Sequence, residues 1–162
     1  MVQTMMHKTV IASHILPQEI DQFERQIKQL KLSSELLDKS DHVELYFVLN
    51  ISQVFFDWDT EEHKNYFVGR FKKLIPLCQW AKKVEFRVVD DNSMGGCVDF
   101  RRYIVRQYDS SITDIIFLDS DIYFHTSLLA YLLESVKNIQ NTYYIVTPHT
   151  VKLWDYTWDV LT

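Results

Sequence analysis

Two short stretches of the sequence carry the residue types that do phosphate and metal chemistry. The first is Asp119-Ser120-Asp121, which follows the apolar run Ile115-Ile116-Phe117-Leu118. Two carboxylates one residue apart repel each other unless something positive lies beside or between them. A hard divalent cation with oxygen ligands meets that need, and Mg2+ or Mn2+ would also take phosphate oxygens from a substrate. A plainer reading of the same residues has one Asp capping the next helix and the other in solvent. The second stretch is Gly95-Gly96, with Arg101 five residues after Gly96. Two glycines let the backbone approach a ligand closely, and the helix that follows presents free N–H groups. An Arg one turn into that helix can reach a diphosphate with a forked contact. The plainer reading is a tight left-handed turn followed by a surface Arg.

Other candidates are weaker. Trp154-Asp155-Tyr156-Thr157-Trp158-Asp159 pairs aromatic faces with carboxylates, the composition that grips a sugar ring, although the same residues could pack against a further segment. Asp155 and Asp159 are the available candidates for a general base. His125 lies four residues after Asp121, where it could assist a metal or simply face solvent at a helix start. Asp57 and Asp59 precede a helix start and read as capping. The six histidines show no zinc spacing, and neither a G-x-S-x-G turn nor a Walker loop occurs.

These groups need elements to hold them, and the pattern supplies strands alternating with helices. The apolar runs are Thr9 to Ser13, Val43 to Ile51, Val84 to Val89, Ile115 to Leu118 and Tyr143 to Val146. Between them, Ile20, Phe23, Ile27 and Leu30 recur at helical spacing after Pro17. Thr60 with Glu61 and Glu62 reads as a helix start whose face is Phe67, Phe71 and Leu74, with Pro76 ending it. A third helix is expected from about Val98 to Tyr108, and a fourth, capped by Thr126, carries Leu128, Leu129, Leu132 and Val136. Five such alternations predict an α/β three-layer domain with a mostly parallel sheet. In parallel strands the polar groups that end the runs converge on one edge: Ser13 and His14, Asn50, Asp90 and Asp91, Asp119 and Asp121.

A chain of 162 residues is one domain, 1–162, large enough to bury a real core. Apolar residues at 47% and charged residues at 24% exclude disorder, and three Gly and three Pro exclude collagen-like or linker-like classes. A net charge of −5 argues against a nucleic-acid partner, since phosphate contacts call for a basic surface. Two distant cysteines, Cys78 and Cys97, fit a reducing compartment. With no convincing signal peptide and no stretch approaching a membrane span, a cytoplasmic location is expected.

The segment Gly95-Gly96-Cys97-Val98-Asp99-Phe100-Arg101, a short helix, and then Ile115 to Asp121 resembles the central stretch of GT-A nucleotide-sugar glycosyltransferases, notably the family 2-like ones. In that family a G-G-x-x-x-x-R segment precedes an apolar strand ending in D-x-D at similar spacing. The resemblance covers about residues 8 to 148. It implies a Rossmann-like GT-A domain that binds a UDP- or GDP-type sugar donor with Mn2+ or Mg2+. It further implies that Asp119 contacts the ribose or the metal and that Asp121 ligates the ion. Arg101 would sit near the diphosphate or base, and Ser13 would line the base pocket. By the same resemblance His14, Asn50, Asp91, Gly95 and Gly96 belong to the donor site.

Two departures accompany the resemblance. Where the family ends its second strand with an Asp-Asp pair that holds the base, this chain has Asn50, and an Asp-Asp-Asn-Ser stands at Asp90 to Ser93 instead. The family's domain is also longer, so the acceptor half, for a glycan, lipid or protein acceptor, is expected beyond Thr162, and the Trp-rich end offers an apolar patch for self-association. Two alternatives compete. A haloacid dehalogenase-like phosphatase also uses D-x-D after a strand, but on its first strand and with Thr or Val where Tyr123 stands. A non-catalytic nucleotide-sugar or carbohydrate-binding module would keep the fold without the chemistry.

Overall fold

A computed structural model describes residues 7–55, 58, 60–108, 112–139 and 144–146. Among the described residues four strands alternate with four α-helices: β1 (Lys8–Ile15), α1 (Ile20–Ser34), β2 (His42–Asn50), α2 (Glu61–Lys72), β3 (Lys83–Val89), α3 (Cys97–Gln107), β4 (Asp114–Phe117) and α4 (Leu128–Lys137). The strands form one sheet in the order β3-β2-β1-β4, and every pairing is parallel. A parallel sheet covered on both faces needs strands that are apolar on both sides. The two inner strands meet that need: Val10, Ile11 and Ala12 of β1 and Phe47, Val48 and Leu49 of β2 have no exposed surface.

Alternation along each strand divides these side chains between two cores. Ile11, Ile15, Leu45, Phe47 and Leu49 pack with Phe23, Ile27 and Leu30 of α1, Phe71 of α2, and Leu129 and Leu133 of α4. Val10, Ala12, Tyr46, Val48 and Val89 pack on the opposite face against Phe100 and Ile104 of α3. The result is an α/β/α layering with α3 alone on its side among the described helices. The stripe Ile20, Phe23, Ile27 and Leu30 is buried as its spacing predicts. Phe23 meets the Phe47 ring edge-on at 5.1 Å, an arrangement that aromatic quadrupoles favour.

The helix starts and stops agree in part with the expectations. Thr60 caps α2, its hydroxyl accepting the His63 N–H at 3.1 Å. Pro76 does not end α2. The helix stops at Lys72, and Pro76 lies inside a following 3-10 turn, Ile75–Cys78, where its missing N–H costs nothing. Thr126 does not cap α4. Ser127 precedes its first residue, and the His125 Nδ1 accepts the Ser127 N–H at 3.2 Å. The expected fifth strand does not form over its described residues: 144–146 join no ladder, and Ile145 stands 91% exposed. Tyr143 lies outside the described residues. No described helix is long and apolar enough to cross a membrane.

Candidate functional site

The strand order sets where a ligand can bind. The chain runs outward from β1 to β2 to β3, then returns through α3 to place β4 on the other side of β1. In open α/β sheets a crevice forms at such a reversal, beyond the carboxyl ends of the strands. His14 stands at that end of β1, Asn50 ends β2, and Asp119-Ser120-Asp121 follows β4.

The acidic turn is seated from beneath by three side chains. The Ser13 hydroxyl of β1 donates to the Leu118 carbonyl. The Gln26 amide of α1 donates to the Asp119 carbonyl at 2.6 Å. Ser120 is buried and donates its hydroxyl to Glu19 at 2.8 Å, and the same Glu19 oxygen accepts the Leu16 N–H at 2.9 Å. Burying Ser120 and holding the backbone on either side leaves Asp119 and Asp121 exposed. The turn therefore presents two carboxylates outward from a fixed base.

The glycine–arginine segment meets this turn. Arg101 Nη2 lies 2.9 Å from Asp119 Oδ1, and its guanidinium sits over the Phe117 ring at 5.6 Å. Both side chains are about half exposed, so the pair is worth under about 1 kcal/mol of stability. Its significance is positional: it joins the two motifs at one edge of the sheet. Gly96 is the N-cap of α3, and Asp99 lies in the first helical turn. Neither glycine has a positive φ, so the left-handed turn does not occur. A Cβ at Gly95 would meet only the Asp99 carboxylate, the tip of an exposed side chain that can turn away.

Asn50 ties that segment to the sheet. It is fully buried, its Nδ2 lies 3.1 Å from the Met94 carbonyl and 3.4 Å from that of Gly95, and its Oδ1 accepts the Ser52 N–H at 3.1 Å. The same Nδ2 lies 3.3 Å from His14 Nε2. Burial holds the His14 imidazole below its usual pKa. Ser13, expected to line a base pocket, and Asn50, expected in the donor site where the family has an Asp pair, are both wholly buried.

Contacts thus form two groups, Ser13 and Arg101 about the Asp119 turn and His14 with Asn50 and Gly95, which adjoin along the chain at Ser13-His14, with Gly96 and Asp121 beside them. Asp91 is apart. Its carboxylate accepts the hydroxyl and the N–H of Ser93, which hold its pKa below the usual range, and it touches none of the others. Its neighbour Asp90 pairs with Lys64. Asp155 and Asp159 lie outside the described residues, as do Asp57 and Asp59. Gln26 and Glu19 were missed. A polar residue on the buried stripe of α1, three residues after Phe23, was the available signal for Gln26.

No group of three or more His, Cys, Asp or Glu among the described residues could hold a metal ion. Mg2+-like ions, however, are often held by one or two carboxylates, with water and substrate phosphate completing the shell. Asp121, which has no hydrogen bond or ion pair with a described residue, and the second oxygen of Asp119 fit that smaller donor set. A hollow of about 250 Å3 lined by Glu44, Tyr46, Glu85 and Tyr108 lies past the other end of α3 and shares none of these groups. Compared with family models, with curated proteins and with solved structures, the chain finds no match.

Proposed function

We propose that this chain is the donor-binding portion of a metal-dependent glycosyltransferase with a Rossmann-like GT-A domain. The observation that supports it is the 2.9 Å contact between Arg101, five residues past the diglycine, and Asp119 at the reversal of strand order. Asp121 and the free oxygen of Asp119 would hold Mn2+ or Mg2+. When bound, such an ion neutralises diphosphate charge and makes the nucleoside diphosphate a better leaving group.

The remaining work falls to the chain's own groups. Arg101 keeps one N–H on Asp119 and has further donors in its planar fork for phosphate oxygens. The first backbone N–H groups of α3, which starts directly after the diglycine, would add to the binding of the same anion, as would the helix dipole. Ser13, Gln26 and Glu19 hold the acidic turn so that its carboxylates do not need to be ordered on binding. The bond from the anomeric carbon to the diphosphate oxygen would break, the nucleoside diphosphate leaving with the electron pair, as an acceptor bound by other residues bonds to that carbon and gives up its proton.

Calorimetry with UDP and GDP, each with and without Mn2+, tests the proposal. The expected result is Mn2+-dependent binding of at least one nucleotide, weakened at least tenfold by Asp121→Ala. That variant should stay within about 0.5 kcal/mol of wild-type stability, because the side chain it removes is exposed and has no partner among the described residues. A folded sample that binds neither nucleotide, or equal binding by Asp121→Ala, rejects it.

A further inference from the structure

Among the described residues β3 is an edge strand. β2 pairs with one side of it, and no described residue bonds its outer row of N–H and C=O groups. An open hollow of about 330 Å3 lies along its carboxyl end, lined by the consecutive residues Arg87 to Asp91. Edge strands are commonly blunted by proline, by a bulge or by charges that repel another strand. β3 contains neither Pro nor Gly, pairs with β2 in unbroken register, and carries charges that alternate in sign: Lys83, Glu85 and Arg87.

The two faces of this edge differ. Lys83, Glu85 and Arg87 stand on the α3 face, in register with Glu44, Tyr46 and Val48 of β2. Arg87 donates to the Tyr103 hydroxyl at 2.7 Å and keeps further N–H groups, while Glu85 has no hydrogen bond or ion pair with a described residue. Val84, Phe86 and Val88 stand on the other face, packed against its core but only partly buried. A second strand laid along the edge would cover them and give Glu85 a cation.

We propose that this edge is an interface with a second copy of this chain, two β3 strands pairing antiparallel about a twofold axis at Phe86. Alternate residues of an edge strand turn their N–H and C=O groups outward, so two copies related by a twofold axis can bond only when the axis passes at a residue. Phe86 is the midpoint of Lys83–Val89, and centring there gives every residue of the strand a mate. Glu85 then opposes Arg87 of the second copy and Arg87 opposes Glu85, while Val84 meets Val88 and Phe86 meets Phe86. Opposite charges directly across two strands are attractive and like charges are not. Centring on Glu85 would set two carboxylates together and Lys83 against Arg87, and centring on Arg87 would set two guanidiniums together. Centring on Val84 pairs Lys83 with Glu85 but leaves Phe86 to Val89 facing residues outside the strand. The charge order of β3 therefore selects one self-complementary register, and it is the one that uses the whole strand.

Sedimentation equilibrium of the full chain tests it. The expected result is a reversible dimer of twice the 19.4 kDa chain mass. Glu85→Arg and Arg87→Glu each set like charges opposite one another at two places, and each should weaken the dimer by about tenfold or more. Mixed in equal amounts, the two variants should pair with each other, because every like pair becomes an opposite one. Thermal melts of each variant confirm that it is folded. Arg87→Glu also loses the bond to Tyr103, so amide hydrogen exchange on wild type supplies a second readout: the outward amides of Val84 to Val88 should exchange more slowly as protein concentration rises. A wild type that stays monomeric, a dimer that both folded variants leave intact, folded variants that do not pair with each other, or β3 exchange independent of concentration overturns the interface.

Discussion

Replacing Gln26 by Glu asks whether the acidic turn is truly held from beneath. Gln26 is 2% exposed, and its amide donates to the Asp119 carbonyl at 2.6 Å. Glu has nearly the same shape, but once ionised it sets an anionic oxygen where the donor stood, against a carbonyl oxygen and out of reach of water. The neutral acid can still donate. Folding therefore raises the carboxyl pKa above its unfolded value of about 4.3. A group whose pKa rises on folding contributes its full stability below the unfolded pKa and loses it as pH rises through the folded one. A rise of about two units costs about 2.7 kcal/mol at about pH 8, and about 2 kcal/mol of that returns by about pH 4.5. For a domain of this size each kcal/mol moves Tm by about 2–4 °C, so the variant should melt about 5–10 °C below wild type at the higher pH. Thermal melts and urea titrations of both proteins at the two pH values measure the difference, and subtracting wild type removes every other titration. A destabilisation that does not change with pH, or one below about 0.5 kcal/mol at about pH 8, refutes the clamp.

The His14 environment and the two thiols give two further expectations. Burial holds His14 below its unfolded value of 6.5, so the unfolded chain takes up a proton first on acidification. Stability is lost as pH falls below that value, and His14→Phe should flatten this part of the pH profile in urea titrations; an identical slope in both proteins would contradict the burial argument. Burial also pushes the Cys78 thiol up to about 12, while Cys97 is exposed at the start of α3. A chromogenic disulfide reagent should therefore titrate one thiol in the native protein, abolished by Cys97→Ser, and two after denaturation; two fast thiols in the native state would show that the core around Cys78 opens.

The sequence made the sheet legible because burial on both faces leaves a continuous apolar record. Thr9 to Ser13, Val43 to Ile51, Val84 to Val89 and Ile115 to Leu118 each mark a strand to within a few residues. The convergence of strand ends, and the meeting of Arg101 with Asp119, follow from that pattern plus the rule that parallel strands share a carboxyl edge. Tyr143 to Val146 has the same composition and forms no strand over its described residues, since composition cannot say whether a neighbouring edge accepts it. Ser13 and Asn50 looked like pocket residues because they are polar at strand ends. Both are wholly buried and bind backbone instead, Ser13 the Leu118 carbonyl and Asn50 the Met94 carbonyl and the Ser52 N–H. Gln26 left one trace, a polar residue on the buried stripe of α1, but neither it nor Glu19 could be joined from the sequence to partners about a hundred residues away.

The bonds that seat the acidic turn join residues separated by 93, 101 and 105 positions. Closing so long a stretch of chain carries an entropic cost that local contacts do not share, and such pairings set the pace at which a protein reaches its final state. The four-residue β4, bonded among the described strands only to β1, has little of its own to hold it earlier. Docking of β4 and assembly of the two carboxylates are therefore expected together and late in folding. A chain caught before then would keep much of its helix and sheet and yet present no paired carboxylates at the sheet's edge.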